Sequence, residues 1–245
     1  MTVRRVAMWS GPRNISTAMM RSFENRSDCA VIDEPFYAAY LADTGLDHPG
    51  RSQVLSSQSQ DWGAVADALC SDEPAPVYYQ KHMTQHILAD MDLAFTEQFT
   101  NCFLVREPRR IIASYARVRE EFTLDELGFA QQAALFEREC DRLGAVPPVL
   151  DAALTLSNPR SVLTQLCARL SLPFDEAMLS WPAGPRENDG VWAPHWYASV
   201  WASTGFAAPA QNDEGEPVAL SAAQEALCVE AERIYERMLT HALRG

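Results

Sequence analysis

Several signals that would fix a protein's class outright are missing from this sequence. Its six cysteines, Cys29, Cys70, Cys102, Cys140, Cys167 and Cys228, form no C-x-x-C pair. With most of them among apolar neighbours, they are expected to be buried free thiols rather than a disulfide or zinc framework. The five histidines show no metal-ligand spacing, so a metal-independent protein is expected. No stretch approaches the roughly 18 apolar residues of a membrane span. The opening MTVRRVAMWSG also lacks the apolar core and small-residue cleavage site of a secretory leader. A cytoplasmic protein that does not engage membranes is the expectation. Positive charge is scarce as well, with 20 Lys+Arg against 33 Asp+Glu and a net charge of −13. Such a field repels polyanions, which argues against nucleic-acid polymers as partners, yet a small anion can still bind where a few cations share one cleft.

What is present is ordinary globular material: 245 residues, 47% hydrophobic and 22% charged. That is enough chain to bury a sizeable core, and one domain over residues 1–245 is the expectation. Short apolar runs stop at turns or charges. Val3 to Trp9 ends at Ser10-Gly11-Pro12, Ala30-Val31-Ile32 ends at Asp33-Glu34-Pro35, Val77-Tyr78-Tyr79 runs into Lys81-His82, and Cys102 to Val105 ends at Arg106. Helical spacing follows the first run through Ile15, Ala18, Met19 and Phe23, with Arg21 and Arg26 assigned to the outer side. Pro108 opens a second helix with the stripe Ile111, Ile112, Tyr115, Val118 and Phe122. Asn158-Pro159 and Ser221 with Gln224 mark two further helix starts. Thr44 to Gln60 and Ala207 to Pro217 look polar or loop-like. Strands alternating with helices predict an α/β protein, a mostly parallel sheet flanked by helices in three layers. In such sheets ligands bind beyond the carboxyl ends of the strands.

At the first strand end stands Gly11-Pro12-Arg13-Asn14-Ile15-Ser16-Thr17, between a strand and a helix. There backbone N–H groups can converge on an anion, with Arg13 and the hydroxyls of Ser16 and Thr17 as further donors. The nucleoside-triphosphatase pattern GxxxxGK[ST] is not met, because Ser16 and Thr17 occupy the places of its Gly and Lys.

This loop resembles the 5′-phosphosulfate loop of sulfotransferases, Pro-(Lys/Arg)-x-x-(Ser/Thr)-Thr after the first strand. Arginine at the basic position is closer to the trehalose and carbohydrate enzymes than to the cytosolic steroid and phenol type, and Ile15 departs from the usual Gly. A second motif follows in order. Arg106 after a strand and Ser114 eight positions later resemble the family's 3′-phosphate pair, and an arginine fork with a hydroxyl suits the ribose phosphate that ATP does not carry. Pro148 to Leu154, Asn158-Pro159 and Leu170 to Phe174 resemble later segments of the same family. Arg186, Gly190, Trp192, His195 and Trp196 resemble a shifted form of the segment that closes over the donor nucleotide, without its Lys-Gly.

The resemblance implies a sulfotransferase-like fold, 3′-phosphoadenosine 5′-phosphosulfate as the donor, and transfer of a sulfuryl group to a hydroxyl or amine of a small-molecule acceptor. Arg13 is then the electrostatic stabiliser. Two residues compete as the base: Glu34, which resembles the Glu-Pro of the trehalose and carbohydrate enzymes, and His82 of Lys81-His82, which resembles the Lys-x-His segment of the cytosolic ones. Glu34 is preferred because Arg13 matches the same branch, leaving His82 and Lys81 as substrate or sulfuryl contacts. Trp181, Trp192, Trp196 and Trp201 either stack on a ligand or pack over the sheet edge. Two other readings stay open: a P-loop kinase or nucleotide hydrolase using Asp33-Glu34 for magnesium, and a sulfotransferase-like protein that binds nucleotide without turnover. The acceptor's identity and the oligomeric state are not written in the sequence.

Overall fold

A computed structural model describes residues 3–71, 75–119, 121–206 and 219–244; the polar stretch Ala207 to Pro217 lies outside them. Five parallel strands form one sheet: β1 (Arg4–Ser10), β2 (Cys29–Asp33), β3 (Val77–Met83), β4 (Thr100–Val105) and β5 (Val149–Asp151), in the order β2-β3-β1-β4-β5. The helices are α1 (Ser16–Glu24), α2 (Tyr37–Thr44), α3 (Arg51–Ser57), α4 (Trp62–Cys70), α5 (Pro108–Ala116), α6 (Leu124–Leu127), α7 (Phe129–Leu143), α8 (Ala152–Ser157), α9 (Pro159–Arg169), α10 (Ala193–Trp196), α11 (Ala198–Trp201) and α12 (Ala222–Leu239).

The three layers follow from the two-residue period of a strand. Along β1, Ala7 and Trp9 enter one apolar layer with residues of α4, α7 and α12, including Leu69, Phe136 and Met238. Val6 and Met8 enter the opposite layer with Met19, Met20 and Phe23 of α1 and with Val162, Leu163 and Leu166 of α9. Because β1 is central, both of its faces are covered, which is why its sequence is almost continuously apolar. The chain leaves β1 toward β2 at one edge, whereas β4 leads to β5 at the other. The ends of β1, β3 and β4 therefore bound a topological switch point, where a ligand crevice opens in such sheets.

Local signals place the ends of several elements. Asn158 accepts a hydrogen bond from the Ser161 N–H with Pro159 in the first helical turn, and Ser221 with Gln224 forms a complete capping box. The strand at Pro148 to Leu154 stops at Asp151, whose side chain caps α8 through the Leu154 N–H.

Four expectations are corrected. Helix α5 ends at Ala116 rather than carrying the stripe to Phe122, leaving Val118 exposed while Phe122 folds back edge-on against Tyr115. The stretch Thr44 to Gln60 contains α3. Three of the six free cysteines, Cys29, Cys70 and Cys140, are only half-buried. Arg21 and Arg26 are buried, not outward. Arg21 meets Asp189 at 2.5 Å and Glu24 at 3.0 Å, while Arg26 is held by Asp28 and the carbonyl of Pro173. Partner groups remote in sequence make that burial tolerable, and a pattern within one helix cannot announce them.

Candidate functional site

The turn from β1 into α1 is built by close packing. A Cβ on Gly11 would stand 2.6 Å from the Leu127 carbonyl oxygen, so only glycine lets the turn pass beneath α6. Arg13 adopts φ 56°, a left-handed conformation rare for a residue with a side chain. Asn14 ties the turn to the neighbouring strand by donating to the Leu104 carbonyl at 3.0 Å, and it accepts from the Ile15 N–H at 2.8 Å. Ile15, as N-cap of α1, supplies no side-chain acceptor, so the first-turn amides of this nine-residue helix point past it uncapped.

The end of β4 closes on the same turn. Arg106 donates to the backbone carbonyl of Arg13 at 2.6 Å, and Arg13 Nε donates to Ser114 Oγ of α5 at 2.9 Å. These contacts follow from β1 and β4 being hydrogen-bonded neighbours. Two motifs about a hundred residues apart thereby become one wall.

On the other side, β2 and β3 end in a buried charged cluster. Asp33 and Lys81 are register partners. Lys81 Nζ donates to Asp33 Oδ1 at 2.8 Å, Glu34 Oε1 at 2.6 Å and the Tyr197 hydroxyl at 2.5 Å. Glu34 sits at φ 41°, a second strained position at a strand end. Burial pushes the proton affinity of Glu34 up, with Asp33 adding to the rise and Lys81 opposing it. For Lys81 burial works against the charge, yet Asp33 and Glu34 outweigh it and hold the ammonium above its ordinary value.

These walls enclose a cavity of about 520 Å³, lined by residues 12–18, Glu34, Tyr37, His48, Lys81, Met83, Gln85, His86, Arg106, Arg110, Ser114, Tyr115, Arg117, Leu156, Trp196, Tyr197 and part of the segment 199–206. Four arginines and one lysine face a single carboxylate, that of Glu34, among these lining residues. In a chain of net charge −13 that is a strong local reversal. Arg13 registers it: burial lowers its proton affinity, and repulsion from Arg117 lowers it further.

Of the residues singled out in the sequence, Pro12, Arg13, Asn14, Ile15, Ser16, Thr17, Glu34, Lys81, Arg106 and Ser114 share the cavity. Gly11 acts behind it, through its packing. His82 lies elsewhere: it stacks on Trp9 at 4.1 Å in the apolar layer, pairs with Gln80 at 3.0 Å, and burial pulls its pKa down to about 3. Consecutive strand residues face opposite ways, so with Lys81 toward the cavity His82 cannot join it. Arg186 is not a lining residue; its backbone N–H donates to Asp189. Trp196 lines the cavity, whereas Trp192 and Trp181 are buried and Trp201 donates to Asp189 at 2.9 Å. Sequence reasoning missed Tyr197, Tyr37, His86, Arg110 and Arg117. The two arginines carried a signal, since each lies within a few positions of Ser114, but the aromatic residues and His86 did not.

Fold and cavity together define a parallel α/β protein that gathers cations at the crossover of its sheet. The chain belongs to the sulfotransferase domain family, whose model matches residues 4–241. Two curated relatives from Arabidopsis thaliana bear the names branched-chain-amino-acid aminotransferase-like protein 1 and 2. The first is 38% identical over 202 residues, 82% of this chain and 36% of that protein, and the second 33% identical over 211 residues, 86% and 37%. The chain thus spans little more than a third of their length, and their names describe those longer proteins. Among solved structures, the sulfotransferase domain of the Synechococcus PCC 7002 olefin synthase matches with a TM-score of 0.60 at 18% identity, covering 94% of both chains. A mouse sulfotransferase complexed with PAP matches with a TM-score of 0.54 at 10% identity, covering 99% of this chain and 91% of its own. Both share the fold. No helix among the described residues is long and apolar enough to cross a membrane.

Proposed function

We propose that this protein is a sulfotransferase that uses 3′-phosphoadenosine 5′-phosphosulfate to sulfate a hydroxyl or amine of a small acceptor. The observation that carries this reading is the joining of Arg106 and Ser114 to the β1–α1 turn at one cavity wall. The mouse relative of the same fold was solved with PAP, the desulfated donor. Charge matching supports the reading further. The donor's 3′-phosphate and phosphosulfate together carry roughly −4, and Arg13, Arg106 and Arg117 line the cavity, with Arg110 beside them already paired to Glu107.

In this reading the uncapped amides of α1 with Ser16 and Thr17 hold the 5′ side of the donor, while Arg106 and Ser114 hold the 3′-phosphate. Arg13 between them stabilises charge that builds on the leaving phosphate. Glu34 takes the acceptor proton. Its Oε1 is tied to Lys81, but Oε2 has no hydrogen-bond partner among the described residues. The acceptor's oxygen forms its bond to sulfur as the sulfur–oxygen bond to the phosphate breaks, its proton passes to Oε2, and the bonding pair stays on the phosphate. Burial suits Glu34 to this work by moving its proton affinity toward neutrality.

Calorimetry with 3′,5′-adenosine bisphosphate in the absence of magnesium tests the donor site, and mass spectrometry of acceptor mixtures incubated with the sulfate donor tests transfer. Tight binding with an added sulfuryl mass on an acceptor is expected. A response to ATP only with magnesium would favour the kinase reading, and tight binding without product would favour a binding protein.

A further inference from the structure

We propose that Asp33, Lys81 and Tyr197 are positioning residues that leave Glu34 alone, of the two adjacent carboxylates, with an oxygen open to receive a proton. The inference rests on the reading of Glu34 as the base and names the device that selects it over its neighbour.

Hydrogen-bond accounting around the cluster carries the argument. Tyr197 has one hydroxyl proton, and that proton is given to Asp33, whose oxygens lie 2.7 and 2.9 Å away. The same hydroxyl oxygen accepts from Lys81 at 2.5 Å and from the Trp192 indole at 3.1 Å, so it is saturated. Asp33 also receives Lys81 on Oδ1 and the Gly190 N–H on Oδ2 at 3.2 Å, so that both its oxygens are occupied. Lys81 has three N–H groups, and Asp33, Glu34 and Tyr197 use all three. No ammonium proton remains for a sulfuryl oxygen, which makes Lys81 a counter-ion rather than a contact for the substrate. Glu34 receives a single short bond, on Oε1, since Tyr197 stands 3.4 Å off with its proton committed elsewhere.

Accessibility points the same way. The side chains of Lys81 and Asp33 are 1% and 3% exposed, whereas that of Glu34 is 10% exposed and lines the cavity. The groups facing Glu34 from the packed elements are Asp33 on β2, Lys81 on β3, Tyr37 on α2 and Tyr197 beyond α10; His86 next to Tyr37 is kept neutral by burial, with His48, Lys81 and His82 disfavouring its charge further. Two of the contacts, from Gly190 and Tyr197, come from one late segment, which reaches the strand end only in the folded chain. A Cβ on Gly190 would stand 2.1 Å from the Trp192 ring, so that segment has room for glycine alone at the point where it meets Asp33.

The sign of two opposed substitutions tests the proposal. Tyr197→Phe removes a donor from Asp33 and frees one Lys81 N–H, drawing the ammonium toward Asp33 and away from Glu34. Asp33→Asn removes the competing negative charge and leaves Lys81 to Glu34. Carbon-13 NMR titration of labelled glutamate carboxyls, with the Glu34 signal assigned by Glu34→Gln, is expected to show the midpoint rising in Tyr197→Phe. In Asp33→Asn it should fall by roughly one pH unit. The acid limb of turnover should move with it while the KM for the donor holds steady. Trp192→Phe, which disturbs the same segment but leaves the phenol in place, should move the midpoint far less. A midpoint that stays put, or moves the same way in both variants, overturns the proposal. Should Asp33→Asn fail to fold, the direction in Tyr197→Phe decides alone. The carboxyl titration needs no turnover, so absent sulfuryl transfer would count against the proposed function and an unmoved midpoint against the positioning role.

Discussion

The two flanks of the β1–α1 turn handle charge in opposite ways. On the β4 side, Arg13, Arg106 and Arg117 line the cavity, and Arg110 beside them is paired with Glu107 at 3.0 Å. On the β2–β3 side a single ammonium is enclosed by two carboxylates and a phenol. The first flank presents a surplus of cations to the cavity and suits an anion brought from outside, while in the second every ammonium N–H is already taken, which suits a proton moved within it. In the proposed reading, the donor and the base occupy opposite flanks of one cavity.

The strongest way to break this comparison is to disable one flank and look for effects on the other. Glu34→Gln should lower kcat by roughly 10²–10⁴-fold while calorimetric affinity for 3′,5′-adenosine bisphosphate is retained. Equal losses in both would merge the flanks into one. Arg106→Ala should do the reverse, weakening 3′-phosphorylated nucleotides by roughly 10- to 100-fold, with adenosine 5′-phosphate much less affected. Gly11→Ala must move the turn away from the Leu127 carbonyl. It should reduce stability in denaturant titration by about 1–3 kcal/mol and damage donor binding, leaving the Glu34 carboxyl titration nearly unchanged.

The smallest effect concerns His82. Its pKa is depressed to about 3 by burial, so the unfolded chain binds a proton that the folded chain refuses between that value and the ordinary histidine range. The stability His82 confers is therefore present at neutral pH and lost as pH falls through that window, by at most about 1.4 kcal/mol per pH unit. His82→Phe should flatten that acid slope in urea melts and leave turnover intact. Abolished turnover would return His82 to the contest for the base and dissolve the distinction between the flanks.

Much of this arrangement is legible in the residues themselves. Each apolar run ending at a charge is a strand end, and Gly11 to Thr17 and Arg106 to Ser114 carry a local chemistry that their spacing alone displays. The two-residue period of β3 is equally readable, yet the resemblance to the Lys-x-His segment groups Lys81 with His82 at the site, whereas strict alternation sets them on opposite faces of the sheet. Other features are closed to sequence reasoning because they join distant segments. The burial of Arg21 depends on Asp189, and the role of Tyr197 depends on Asp33. Neither long-range partner lies within reach of helical or strand periodicity.

Strand β3 serves two masters with adjacent letters, a feature that constrains how this chain can tolerate change. Removing one residue from Val77 to Gln80 while the strand keeps its upstream anchor would rotate the letters that follow by half a period. The amine would be driven to the place of Gln80, beside the Leu69 carbonyl on the face of β3 that packs into the apolar layer, and the imidazole would be left facing two acids without a cation. Such a deletion abolishes the counter-ion and poisons the hydrophobic layer in one stroke, so natural variants of this protein should vary in length at the loops before β3 and never inside it.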